Sequence, residues 1–285
     1  MALTVGSGPF GHQPAGQFNR RLPEFEGLLY LEPSSRRIRG EFAGEMIVDS
    51  RATSLLYEHG RLPVYVFPQD DVRMDLLVAE GTGEASENKG EQRTFTLRVG
   101  DAEARDAAWA YPEPPAEAAA LAGLIGFRWA SLEQWYEEDE PAIVHARDPY
   151  HRVDVVDTSR AIRFSLAGEV LAETQRGRVL FETSLPPRWY LPPEDVRREL
   201  LVESDLRTGC AYKGFASYWS ARLGNEVERD IAWSYAEPRH DATRVAGYVA
   251  FFNERTDLEI DGELQERPLT PWSPDWKGVR PETSL

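Results

Sequence analysis

The sequence predicts a mainly β protein built from two tandem copies of one compact domain, each copy with one short helix. The first observation is a repeat: shifted by 124 positions, Asp71-Val72-Arg73 falls on Asp195-Val196-Arg197 and Lys89-Gly90 falls on Lys213-Gly214. No gap is needed, and roughly a third of the aligned positions are identical, which indicates a duplicated domain. The second observation is that each copy consists of short apolar runs bounded by turn residues, as in β-rich domains.

Length and composition narrow the functional classes. The 285 residues are 41% hydrophobic and 28% charged, which is typical of globular domains. The net charge of −16 disfavours nucleic-acid and anionic-membrane partners, and no apolar run is long enough for a transmembrane helix. A single cysteine cannot form an internal disulfide, so we expect a cytoplasmic protein, and no zinc site of the usual multi-cysteine kind. The sequence indicates no particular cofactor.

Each copy begins with a hairpin and continues into the short helix. Turns are expected at Ala43-Gly44 and Ala167-Gly168, between short apolar strands. After a second extended run, Asp70-Asp71 place negative charge at the first turn of the expected helix, and Val72 and Leu76 would lie on one of its faces. The same pattern recurs 124 residues later.

A longer hairpin with aromatic residues follows the helix. Gly224-Asn225 has glycine where a type II′ turn requires it, and Gly100-Asp101 is its counterpart in the first copy. Ile231, Trp233 and Tyr235 alternate with small residues, which predicts that all three share one face of a strand.

These patterns predict five segments. They are a flexible leader (1–21), a first repeat domain (22–134), an acidic, His-containing linker (135–153), a second repeat domain (154–265) and a Pro/Trp-containing tail (266–285) whose tryptophans suggest packing on a domain. His145, Asp148 and His151 recur every three residues, but Pro149 breaks the helix that would align them. We therefore expect linker contacts here and no metal site.

Four motifs of the second copy resemble one family. They are Pro192-x-x-Asp195-Val196-Arg197, Thr208-x-Cys210-x-Tyr212-Lys213-Gly214, Tyr218-Trp219 and Asp230-x-Ala232-Trp233-x-Tyr235. Together they resemble the family called domain of unknown function 427, which is also labelled a nucleotidyltransferase domain, over about 95 residues of each copy. The resemblance implies a compact β fold similar to the tent-like fold of Mss4-type proteins. The paired aspartates that would hold metal ions for phosphoryl transfer are not found in the sequence.

The second copy matches this pattern better, and we expect any working site there. Ser86 and Asn88 replace Cys210 and Tyr212 in the first copy, which suggests a partly degenerate scaffold. The first copy nevertheless keeps the lysine, the glycine and the tryptophan.

A ligand site is predicted around five residues of the second copy: Lys213, Tyr212, Trp233, Tyr235 and Arg197. Lysine and arginine would pair with a negative group, while the aromatic rings would stack on a planar one. Each group also has an alternative interpretation. Lys213 would be an exposed lysine in a turn, the aromatic residues would form the core of a β domain, and Arg197 would form an ion pair on the surface. For the two aromatic residues of the Trp-x-Tyr motif, the core interpretation is favoured.

Cys210 is the weak candidate for catalysis. Lys213, three residues away, would favour a reactive thiolate. A small buried cysteine is the favoured alternative, because cysteine is among the most buried residue types.

Three functions remain open from the sequence. The preferred hypothesis is a protein that binds a small anionic or planar ligand through the second repeat. The alternatives are a structural or interaction module in which the duplication fuses a two-fold dimer, and a thiol-dependent or nucleotidyltransferase-like enzyme. The oligomeric state is not predicted.

Overall fold

A computed structural model describes residues 4–5, 7–11, 15–21, 27–83 and 85–277. The chain divides into two compact units, Met1–Tyr150 and His151–Leu285, which we call the first and second domains. Both are built almost entirely from antiparallel sheets, so the predicted fold class is confirmed. Parts of the predicted leader (1–3, 6 and 12–14) and of the tail (278–285) lie outside the described residues.

The described part of the first domain contains a seven-stranded sheet in the order β1-β4-β5-β9-β8-β7-β6 and a four-stranded sheet in the order β11-β10-β2-β3. The strands are β1 (Leu29–Pro33), β2 (Ile38–Phe42), β3 (Glu45–Ser50), β4 (Ser54–Glu58), β5 (Val64–Pro68), β6 (Leu77–Thr82), β7 (Arg93–Val99), β8 (Ala102–Ala110), β9 (Leu124–Phe127), β10 (Gln134–Glu137) and β11 (Glu140–Ala142). Short 3₁₀ helices span Gln69–Asp71, Met74–Leu76, Ala116–Leu121 and Trp129–Ser131.

The described part of the second domain repeats this arrangement. Its sheets have the orders β12-β15-β16-β20-β19-β18-β17 and β14-β13-β21-β22. The strands are β12 (Val153–Asp157), β13 (Ile162–Leu166), β14 (Glu169–Thr174), β15 (Arg178–Glu182), β16 (Arg188–Leu191), β17 (Leu201–Cys210), β18 (Gly214–Leu223), β19 (Glu226–Ser234), β20 (Val249–Phe251), β21 (Asp257–Ile260) and β22 (Glu263–Leu264). The 3₁₀ helices are Pro193–Asp195, Arg198–Leu200 and His240–Val245.

The hairpin turns lie where the sequence predicts them. Leu223 pairs with Glu226 across Gly224-Asn225, and Gly224 has φ +61°, as the first central position of a type II′ turn requires. Ala43-Gly44 closes the β2–β3 hairpin with φ values of +49° and +77°. These left-handed conformations are the reason for glycine at both turns.

The short helix expected in each copy is replaced by two three-residue 3₁₀ turns. In the first domain they are Gln69–Asp71 and Met74–Leu76, and Val72 between them is extended and bridges to Val48 of β3. Val72 is buried, and the N–H of the next residue, Arg73, donates to the carbonyl of Ile47 at 2.8 Å. Pairing with the sheet and burial of a β-branched side chain therefore interrupt the helix.

The beginning of the predicted linker belongs to the first domain. Strands β10 and β11 form a hairpin, and β10 pairs with β2, as β21 pairs with β13 in the second domain. Trp135 of β10 is buried and fills the space beside Gly40, where an added Cβ would lie 3.1 Å from the indole. The second domain has Phe164 at the position of Gly40, so the two copies fill the same part of the core from different strands. The acidic residues around Trp135 conceal this core role in the sequence.

Each domain has two apolar layers. An inner core lies between the two sheets, and an outer layer covers the opposite face of the seven-stranded sheet together with the 3₁₀ helix at 116–121 or 240–245. Trp233 and Tyr235 lie in the outer layer, but Ile231 packs in the inner core, so the three side chains do not share one face. The physical reason is a register shift opposite this part of β19, next to Asp230 with φ +52°, which interrupts the alternation of the strand.

We predict that Trp135→Ala lowers the free energy of unfolding of the first domain by about 3–5 kcal/mol, because it leaves a cavity between four aromatic rings. Those rings are Tyr65, Phe67, Phe127 and Trp129, with centroids 5.0–6.4 Å from that of Trp135. Urea unfolding followed by circular dichroism measures the loss. The control is Tyr136→Ala on the same strand, where the ring is only half-buried and a smaller loss, about 1 kcal/mol, is expected. Equal losses in the two variants would contradict the assignment of Trp135 to the core.

Candidate functional site

A buried ion pair lies in the outer layer of the second domain. The ammonium of Lys213 contacts the carboxylate of Glu182, the last residue of β15. Lys213 lies in the turn between β17 and β18, and Gly214 after it has φ +96°, a conformation that favours glycine. The turn therefore directs the predicted lysine at an acidic partner within its own domain.

His151 and Tyr212 pack around this ion pair. Nε2 of His151 lies 3.1 Å from the Glu182 carboxylate, and the imidazole stacks on the Tyr212 ring at 3.9 Å between centroids. Only 4% of the Glu182 side chain is exposed. His151, which the sequence assigned to the linker, is thus part of the predicted site, and Tyr212 contributes by burying the pair.

The charges of the cluster set its protonation states. Burial alone would raise the pKa of Glu182, but the Lys213 ammonium and the hydrogen bonds from His151 and Lys213 outweigh burial and lower the pKa to about 2. The pKa of Lys213 is raised, because the attraction of Glu182 exceeds the effect of burial. Burial lowers the pKa of His151, which favours neutral imidazole near pH 7. Glu182 and Lys213 therefore remain a charged pair with a neutral histidine beside them.

Trp233 and Tyr235 are buried beneath this cluster. The Trp233 indole N–H donates to the hydroxyl of Tyr190 at 3.0 Å, and burial raises the pKa of Tyr235 well above its usual range. Both rings belong to the apolar outer layer, in keeping with the core interpretation. Stacking of these rings on a ligand stays a prediction, and it would require the layer to open.

The structure does not bring Arg197 to the other four predicted residues. Its guanidinium is half-exposed and pairs with Glu199 at 2.8 Å and with Glu169 at 3.5 Å, at the start of β14. Cys210, in contrast, is the last residue of β17, three residues before Lys213, and it is half-buried. Catalysis by the thiol stays a prediction.

The first domain contains the same ion pair with a different surrounding. Nζ of Lys89 lies 2.6 Å from the Glu58 carboxylate and 5.3 Å from the centroid of the Tyr111 ring. The Glu58 side chain is 21% exposed, against 4% for Glu182. The pair in the first domain is therefore open to its surroundings on the carboxylate side.

A pocket of about 730 Å³ adjoins this open pair. Its charged lining residues include three cations and two carboxylates: Arg61, Lys89 and Arg128, with Glu58 and Asp106. Its polar lining residues include Ser86, Asn88, Gln92 and Thr94. A volume of this size accommodates a metabolite-sized ligand. The first repeat, which the sequence identified as partly degenerate, thus contains the larger of the two pockets described.

Substitutions between the repeats change the side chains at the positions that line this pocket. Four residues that line it are Gly27, Asn88, Thr94 and Arg128. Aligned by the 124-residue offset, their counterparts are His151, Tyr212, Tyr218 and Phe252. Aromatic or imidazole rings therefore occupy all four positions in the second domain. The pocket described in that domain lies beside Tyr218 and has a volume of about 180 Å³. The second copy retains the family-like motifs, but aromatic side chains fill its outer layer.

Sequence reasoning missed both glutamates as functional candidates. The signal was present, because Glu58 aligns with Glu182 and each lies 31 residues before the aligned lysine.

Among the described residues, no group of three or more His, Cys, Asp or Glu side chains could hold a metal ion. In the same part of the chain, no helix has the length and apolar character needed to cross a bilayer.

Comparison with known proteins identifies the family. The domain of unknown function (DUF427) matches residues 30–138 and again 154–262. The chain therefore belongs to this family and contains two tandem copies of its domain, which confirms the resemblance found in the sequence. No curated protein matches the chain.

We predict that Glu182→Gln lowers the free energy of unfolding of the second domain by about 3–5 kcal/mol near pH 7, because it leaves Lys213 buried without a countercharge. The folded state holds the pKa of Glu182 at about 2, below its ordinary value of 4.5, so its contribution is present above pH 4.5 and is lost as the pH falls toward 2. Burial of His151 also makes the free energy of unfolding fall as the pH drops below 6.5, the ordinary pKa of histidine. The reason is that the unfolded chain binds a proton at this residue more readily than the folded one.

Urea unfolding at about pH 7, 5 and 3.5 tests this linkage. The difference in the free energy of unfolding between wild type and Glu182→Gln should become smaller as the pH falls. The matched control is Glu199→Gln, which breaks an exposed pair with Arg197 and should have little effect. A wild-type–variant difference that stays constant between neutral and acidic pH would refute the assignment of this pKa to the ion pair.

Proposed function

We propose that this two-copy member of the DUF427 family is a cytoplasmic binding protein, and that a small polar anion binds in the pocket of its first domain. The observation that carries the proposal is the open Lys89–Glu58 pair beneath a pocket of about 730 Å³. The same ion pair in the second domain is covered by Tyr212 and His151.

The charges around Glu58 favour an anion. Lys89 and Arg61 both approach its carboxylate, Arg61 at 4.0 Å, so two cations face one acidic group. The Arg61 side chain is 71% exposed, and it can turn toward a bound carboxylate or phosphate without breaking a buried contact. Arg128 and Asp106, which also line the pocket, form an ion pair of their own at 2.7 Å, so one positive charge remains in excess on a chain with a net charge of −16.

Neutral polar groups favour a ligand that also forms hydrogen bonds. The side chains of Ser86 and Asn88 line the pocket and make no hydrogen bond to any described residue. Each can both donate and accept, which suits hydroxyl or amide groups on the ligand. The scarcity of apolar lining argues against a flat, hydrophobic ligand.

The site predicted around Lys213 remains the second possible location. Binding there would require Tyr212 and His151 to leave the Glu182 carboxylate, with loss of their stacking and of one hydrogen bond. The open first-domain pocket needs no such rearrangement, and we therefore place the ligand there.

A thermal-shift series on the full chain tests the proposal with inorganic phosphate, citrate, glucose 6-phosphate, AMP and ATP with Mg²⁺. We expect at least one probe to raise the melting temperature, since a ligand at 100 times its Kd stabilises the folded state by about 2.7 kcal/mol. Arg61→Ala should reduce that shift, whereas Arg51→Ala, an exposed arginine outside the pocket, should leave it unchanged. The absence of a shift with every probe would contradict the proposal.

We predict that Asn88→Tyr abolishes the shift of any active probe while the fold is retained, because it introduces the ring that fills the second domain at this position. The matched control is Glu87→Tyr, which adds the same ring at the adjacent exposed residue outside the pocket lining. Loss of the shift in Tyr212→Ala with normal binding by Asn88→Tyr would instead place the site in the second domain.

A further inference from the structure

The C-terminal tail is held on the second domain by two hydroxyl residues. Thr270 and Ser273 are both buried, although they lie in an irregular segment after the last described strand. The Thr270 N–H donates to Oγ of Ser273 at 2.9 Å, and that hydroxyl donates to the carbonyl of Pro268 at 3.0 Å. The segment is thus folded into a compact turn against the domain.

This turn packs against a buried ion pair of the second domain. Arg188 donates to both carboxylate oxygens of Glu254 at 2.7 Å, and the Glu254 side chain is fully buried. The hydroxyl of Thr270 donates to Oε1 of Glu254 at 2.5 Å. A bidentate guanidinium leaves further lone pairs on the carboxylate, and the tail supplies a donor to one of them.

Aromatic rings complete the surface. The Arg188 guanidinium lies 5.6 Å from the centroid of the Trp233 ring and 5.6 Å from that of Trp272 in the tail. Trp272 also packs at 6.3 Å from Phe252, the counterpart of Arg128 in the first-domain pocket. Trp272 of the tail therefore packs against a residue of the second domain whose counterpart in the first domain lines the proposed ligand pocket.

We infer that the outer layer of the second domain is a peptide-binding site, and that its occupant in this chain is the tail segment 268–276. Recognition has two parts: the Thr270 hydroxyl on the buried Glu254 carboxylate, and the Trp272 indole packed on Arg188 and Phe252. Proline at 268, 271 and 274 restricts the unbound segment, which reduces the entropy lost on docking. The inference is independent of the ligand proposed for the first domain.

A cleavable full-length chain tests this site without requiring a truncated protein to fold. A protease recognition sequence is inserted in front of the exposed residue Glu266, the folded protein is cut there, and the released tail is removed by dialysis. A fluorescein-labelled synthetic peptide of residues 266–277 is then added, and its binding is followed by fluorescence anisotropy. We expect the peptide to bind the cut protein and to bind the uncut protein at least tenfold more weakly, because the tethered tail competes at high effective concentration.

Peptide variants identify the contacts. Thr270→Val removes the donor to a charged group and should weaken binding roughly tenfold or more, and Trp272→Ala should have a similar effect. The matched control is Leu269→Ala, because Leu269 is exposed in the docked segment and should not matter. Equal binding to cut and uncut protein, no binding to the cut protein, or equal affinity of all four peptides would overturn the inference.

Discussion

A lysine–glutamate ion pair in the outer layer of each domain is the interaction on which the architecture around the site depends. In both copies the lysine lies in the turn before the strand next to one edge of the seven-stranded sheet (β7 or β18). The glutamate ends the strand next to the opposite edge (β4 or β15). A charge removed from water is stable only when its partner is held in place, so turn and strand end must keep a fixed distance. This requirement accounts for the retention of Glu, Lys and the following Gly in both repeats.

The two copies surround this shared pair differently. In the second domain, a histidine and three aromatic rings stand where the first has small or polar residues, and the carboxylate is nearly inaccessible. In the first domain, the carboxylate faces a polar pocket. Duplication thus allows one copy to gain stability from aromatic packing while the other keeps an accessible charged site.

Buried carboxylates hold two segments that the sequence did not assign to the β domains. Thr270 reaches the Arg188–Glu254 pair, and Tyr65 donates to Glu137, next to Trp135 in β10. In each case a hydrogen bond to a carboxylate fixes a segment that its own sequence would not make regular. The segment predicted as an acidic linker is therefore partly a core strand, and the described part of the tail packs on the second domain through Thr270 and Trp272.

The sequence by itself determined the duplication, the β class and the hairpin turns, because repeats, alternating apolar residues and glycine at left-handed positions are local signals. It also selected Lys213, Tyr212, Trp233 and Tyr235, which the structure places in one cluster. Only the tertiary structure decided that Glu182 and His151 complete this cluster, that Arg197 lies apart from it, and that the larger described pocket belongs to the first repeat. The physical reason is that burial and charge pairing join residues from distant strands, and whether a ring fills a cavity depends on neighbours that are far apart in the chain.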